Sequence, residues 1–237
     1  MHYWNKANFS GLKSIGEACA QEFDVALFGQ YCILREQGLK KPALVAANAF
    51  VQHFSQLEIS KQRVLSLRLV ELQHDNSHVH QLLPHPVKVA LTAALQKWCN
   101  ENPIDPDPHR SLGVLTGNIA CFEAALRIAP HDQISLVRIV QANLSDADFQ
   151  THHLGESQFI GTIADAQTSL LQAEELIPSV SDLTQRTSLY SEVEYYKNLI
   201  SAWVNYSTGE RTESFKDWCH HQGLTFAFST AYYYSKE

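Results

Sequence analysis

What this 237-residue sequence lacks is informative. It has no C-x-x-C pair, no glycine-rich phosphate loop, no G-x-S-x-G elbow, no H-E-x-x-H helix and no uncharged apolar run long enough to cross a bilayer. The longest candidate span, Pro42 to Leu57, is interrupted by Asn48, Gln52, His53 and Gln56. Met1 to Gly16 has no continuous apolar core of the kind a secretory signal requires. Five cysteines (Cys19, Cys32, Cys99, Cys121 and Cys219) stand at wide spacings, and an odd count cannot close internally. Reduced, mostly buried thiols in a soluble, cytoplasmic protein are the expectation.

Basic residues are scarce in one region. Between positions 141 and 200 only Arg186 and Lys197 oppose nine acids, whereas residues 1–140 hold 13 basic and 12 acidic side chains. That region therefore accounts for nearly the whole formal charge of −7. A phosphate-backbone binder needs a basic face, so nucleic acid is not an expected partner, and neither is a membrane. An acidic region suits a basic protein or peptide partner, although a solvated helical face explains the same charges.

Apolar residues recur at helical spacing. Val87, Leu91, Leu95 and Trp98 follow Pro86 along one face, and Leu189, Val193, Tyr196, Ile200 and Trp203 mark a long helix that Gly209 can end. Further helices are expected over 9–19, 23–37, 42–57, 59–73, 111–129, 133–141 and 162–177. The segment 59–73 has so wide an apolar arc that it reads as a buried, central helix. Alternating prolines at 103, 106 and 108 suggest an extended linker over 100–109 and a possible internal boundary of an otherwise single domain, 1–237. The last stretch, Leu224 to Tyr234, has five aromatics and reads as a short helix, a strand-like tail or a capping segment. It is a candidate contact for a homodimer, or a filler of a groove.

Two windows align on their terminal prolines: Asn118, Phe122, Ala125, Pro130 and Ala166, Leu170, Ala173, Pro178. Both resemble the second helix of a tetratricopeptide repeat, with Leu154, Gly155, Phe159 and Gly161 resembling the first helix of the second window. In such a helix small residues permit close approach and a large one fills the groove. The resemblance implies an all-α chain of about 9–11 helices, arranged as stacked antiparallel hairpins in a tetratricopeptide-like superhelix with a concave face. An ordinary helical bundle is the alternative. In peptide-binding members of that family, asparagines on the first helix of a hairpin clamp the ligand backbone. Asn198 and Asn205, seven apart on one side of the helix over 188–207, with Tyr195 and Tyr206 beside them, are the corresponding candidates.

Twelve histidines offer other chemistry. His74 and His78 would share a helical face, with His80 or Asp75 completing a site for a divalent transition metal such as zinc. Histidines near a helix C-terminus are equally well accounted for by the helix dipole. His152 and His153, close in sequence to Asp146 and Asp148, form a second polar cluster able to bind an ion or move protons. Adjacency of Cys219 and His220 seldom gives a thiolate and its base facing geometry.

Two functional classes follow. One is a non-enzymatic interaction module (adaptor, chaperone or inhibitor) that needs no cofactor. The other is an all-α metal- or small-ligand-binding protein or enzyme built on the histidine clusters.

Overall fold

The computed structural model describes residues 6–210 and 212–228, and among these the chain is all-α, with eleven α-helices and no strand. No helix among the described residues is long and apolar enough to cross a membrane. The chain divides into two compact units, 1–130 and 131–237. The proline-rich run 100–109 lies inside the first of them. Tyr232, Tyr233 and Tyr234, and with them most of the aromatic tail suggested as a dimer contact, lie outside the described residues.

The first unit contains α1 (Lys6–Cys19), α2 (Ala26–Glu36), α3 (Lys40–Gln56), α4 (Ile59–Asp75), α5 (His85–Glu101), α6 (Pro106–Thr116) and α7 (Ile119–Ile128). Helices α1 and α2 approach at glycines. A Cβ on Gly29 would stand 2.7 Å from the Gly16 carbonyl oxygen, and one on Gly16 would stand 3.1 Å from Cys32 Cβ. The pairing runs in opposite directions along the two helices, so they form an antiparallel hairpin. Phe28, Phe50, Leu69, Leu82 and Leu91 fill the space between α2, α3, α4, α5 and the loop before α5.

Three expectations need correction here. The prolines at 106 and 108 do not hold an extended linker: Asp105 accepts from the Asp107 amide and caps α6, whose first turn tolerates proline because the missing N–H has no intrahelical partner there. The single helix expected over 111–129 is two, broken at Gly117 (φ 72°), after which Asn118 caps α7. Helix α4 is also not buried on all sides, because Val64 is 65% and Ile59 50% exposed.

The second unit contains α8 (Gln133–Thr151), α9 (Ile163–Leu176), α10 (Leu183–Thr208) and α11 (Phe215–His221). Ala147, Ala166 and Ala173 are fully buried where α8 and α9 meet, and Leu170, Leu189, Val193 and Ile200 complete that core. Each helix begins at a side-chain cap: Asp132 receives the Ser135 amide at 2.8 Å, Thr162 that of Asp165 at 3.1 Å, Asp182 that of Gln185 at 2.6 Å, and Ser214 that of Asp217 at 3.1 Å. A second cluster gathers Leu154, Leu199, Trp203, Tyr206 and Phe215. Fully burying one such aromatic contributes about 2 kcal/mol. Beyond α11 the chain turns at Gly223 (φ 70°) and leaves helical structure over residues 224–228.

Candidate functional site

A cavity of about 320 Å³ opens in the second unit between the C-terminal turn of α8, the middle of α10 and the segment Phe226–Phe228. Its walls include Asp148, His152, Tyr195, Tyr196, Ala227 and Phe228. The i, i+3 and i, i+4 geometry of α8 brings Asp148, Thr151 and His152 to one side of its last turn. On α10 the inward residues Val193, Ile200 and Trp203 leave Tyr195 and Tyr196 half-buried at the edge of the core.

Each polar group here is oriented. The Tyr196 hydroxyl donates to Asp148 Oδ1 at 2.9 Å. Burial first, and then this bond to a carboxylate, push the Tyr196 phenol well above its usual range, so it stays protonated. The Tyr195 hydroxyl donates to the Ala227 carbonyl and accepts from the Ala227 amide, both at 3.3 Å. One side chain thus holds both polar groups of an extended residue. Phe226 stands edge-on to Tyr195 with ring centroids 6.0 Å apart, and Phe228 edge-on to Phe215 at 5.8 Å. Because a carbonyl only accepts, His152 Nδ1 must carry the proton in its contact with the Phe149 oxygen. The His152 ring lies 4.1 Å from that of His153, which in turn faces Glu156 at 3.4 Å.

The residues singled out in the sequence are divided by the fold. His152 and Tyr195 line the cavity, and the ring of His153 is tilted against that of His152. Asn198 and Asn205 are exposed on α10, the former donating to Glu194 Oε1 at 3.3 Å. Tyr206 is not among the lining residues of the cavity. It is 4% exposed, packs in the core against the tilted rings of Trp203 and Phe215, and donates to the Glu213 carbonyl at 2.8 Å. His74, His78 and His80 are not brought together either. Helix α4 ends at Asp75, before the turn that would align His78 with His74, and His78 and His80 are exposed in the following loop. Among the described residues no group of three or more His, Cys, Asp or Glu is placed to hold a metal ion.

Many acids of the 141–200 span serve the fold. Asp165 and Asp182 take part in helix caps, Asp148 bonds Tyr196, and Glu174 pairs with Lys197 at 2.6 Å. Sequence reasoning grouped Asp148 with His152, and both line the cavity, but it missed Tyr196 and Phe228 as walls of the site. The one available signal was the aromatic density of the final stretch. Comparison with protein-family models, curated proteins and solved structures finds no match for this chain. The tetratricopeptide resemblance therefore rests on the two proline-aligned windows.

Proposed function

We propose that the chain is a non-enzymatic protein–protein interaction module, its helical hairpins serving as a scaffold in the manner of tetratricopeptide repeats, and that its second unit receives an extended segment of a basic partner along α10. The observation that carries this reading is the engagement of residues 226–228. The unit already lays one extended segment, its own, beside α10 and grips both backbone groups of Ala227 through Tyr195. Backbone hydrogen bonds with aromatic side-chain contacts are how extended peptides are commonly recognised. Exposed Glu194, Asn198, Ser201 and Asn205 continue the polar side of α10 and offer further donors and acceptors. Free, mostly buried cysteines suit a reducing compartment, and we place the module in the cytoplasm.

The test is affinity capture with the full chain and with a variant carrying Asp146→Asn, Glu175→Gln and Glu192→Gln. These three exposed acids are distinct from the helix caps, so the variant keeps its fold. Capture of the same protein should fall in the variant and weaken as salt rises from 50 to 300 mM, roughly the range over which exposed charges become screened. Capture indifferent to both changes would sink the basic-partner reading.

A further inference from the structure

We propose that the cavity between Asp148, His152, Tyr195, Tyr196 and Phe228 is an aromatic cage for a methylated ammonium group, presented as a methyl-lysine side chain of the partner segment. This rests on the peptide-binding reading and names the side chain that the pocket would take.

The walls supply the first argument. Tyr195 and Tyr196, both in the walls, meet edge-to-face at 81° with centroids 5.2 Å apart and form one corner of the cavity. His152 and Phe228 line the same cavity. An aromatic ring attracts a cation through its quadrupole, and the attraction grows when the site is shielded from water. No lysine or arginine among the described residues lines the space, whereas the Asp148 carboxylate does. The negative charges of Asp148 and Glu192 both act on the Tyr196 hydroxyl, so the field at the corner favours a cation.

The hydrogen-bond inventory selects among cations. A guanidinium is best held by a carboxylate with both oxygens available for its fork, and Asp148 Oδ1 is already taken by Tyr196. An unmodified ammonium brings three donors and needs matching acceptors. The Tyr195 hydroxyl is engaged in both directions by Ala227, and the Thr151 hydroxyl is turned to the Ala147 carbonyl at 2.8 Å. The acceptors left in the walls are Asp148 Oδ2, the Tyr196 oxygen and His152 Nε2, and an unmodified ammonium would have to reach all three at once. A methylated ammonium keeps its charge and requires fewer acceptors or none. The cavity of about 320 Å³ also accommodates the head group and part of its methylene stem.

The experiment is a titration of the isotope-labelled full chain, followed by amide and side-chain NMR shifts. The probes are the acetyl, methylamide derivative of trimethyl-lysine, the same derivative of lysine, choline, and 3,3-dimethylbutanol, the uncharged carbon isostere of choline. The trimethyl-lysine derivative and choline should both move the signals of residues 148–152, 195–199 and 226–228. The derivative should bind roughly tenfold or more tightly than its lysine counterpart, and choline should exceed the alcohol by a similar factor. Asp148→Asn and Tyr195→Leu should each weaken binding about tenfold while the remaining spectrum stays unchanged.

Equal binding of the alcohol and choline would overturn the cage. So would the absence of any localised shift, or undiminished binding in Asp148→Asn, a variant that keeps side-chain size. Binding of choline without the trimethyl-lysine derivative would overturn the peptide source. Failure of the titration with charge-dependent partner capture intact rejects the cage alone. Loss of that capture result with the titration intact rejects the docking reading alone.

Discussion

Gly29 stands where α1 and α2 come closest, and its missing side chain is what allows the approach. A Cβ there would lie 2.7 Å from both the Ala20 amide nitrogen and the Gly16 carbonyl oxygen, two backbone atoms that cannot rotate aside. Gly29→Ala should therefore cost about 1–3 kcal/mol, the usual range for an overpacked core, measured as a lowered urea midpoint with an unchanged slope. Gly38 is a control of a different kind. Its φ is +77° with nothing within 4 Å of a would-be Cβ, so alanine there pays only for left-handed backbone, about 1 kcal/mol. A Gly29→Ala variant no less stable than Gly38→Ala would mean that the two helices have room to part. Gly29 and Gly38 look alike in a sequence. What separates them is a neighbouring helix at one position and empty space at the other.

At the scale of the helix, starts and stops are decided by caps. Asp182 accepts from the Gln185 amide at 2.6 Å at the head of α10, the helix that presents both tyrosines of the pocket. Asp182→Ala should cost about 1 kcal/mol in denaturant unfolding, whereas Glu175→Ala on α9 should stay within about 0.5 kcal/mol. Equal effects would show that α10 is held by packing alone. Most helices were legible because apolar spacing persists through them, as in Val87, Leu91 and Leu95, all buried on α5. The misreadings came from residues with two meanings. Asn118 fits the small-residue slot of a repeat and is a helix cap. Pro106 and Pro108 belong equally to a linker and to a first turn, and Asp105 decides between them. Helix α8 outran its expected end at 141 because Leu144, Ala147 and Thr151 continue the inner stripe begun by Val140, despite the polar residues between. The pocket was illegible for another reason. Asp148 and Tyr196 are 48 positions apart, and Tyr195 and Ala227 are 32 apart, so no local pattern connects them.

The whole chain raises the question of cooperativity, because a repeat protein and a two-unit protein unfold differently. In stacked repeats each hairpin shares its core with the next, and neighbouring pieces stabilise one another. Here residues 1–130 and 131–237 each possess a core of their own: Phe28, Phe50 and Leu91 in the first, Leu170, Val193 and Trp203 in the second. Units of about 100 residues bury enough apolar surface to fold independently. Fragments 1–130 and 131–237 should therefore each give a helical circular-dichroism spectrum and a cooperative urea transition. The transition of the full chain should be reproduced by the sum of the two, and the second fragment should retain the pocket, with Tyr195 still holding residues 226–228. If either fragment is unfolded alone while the full chain melts in one step, the units depend on each other as consecutive repeats do. The boundary at 130 would then mark a joint within one continuous solenoid.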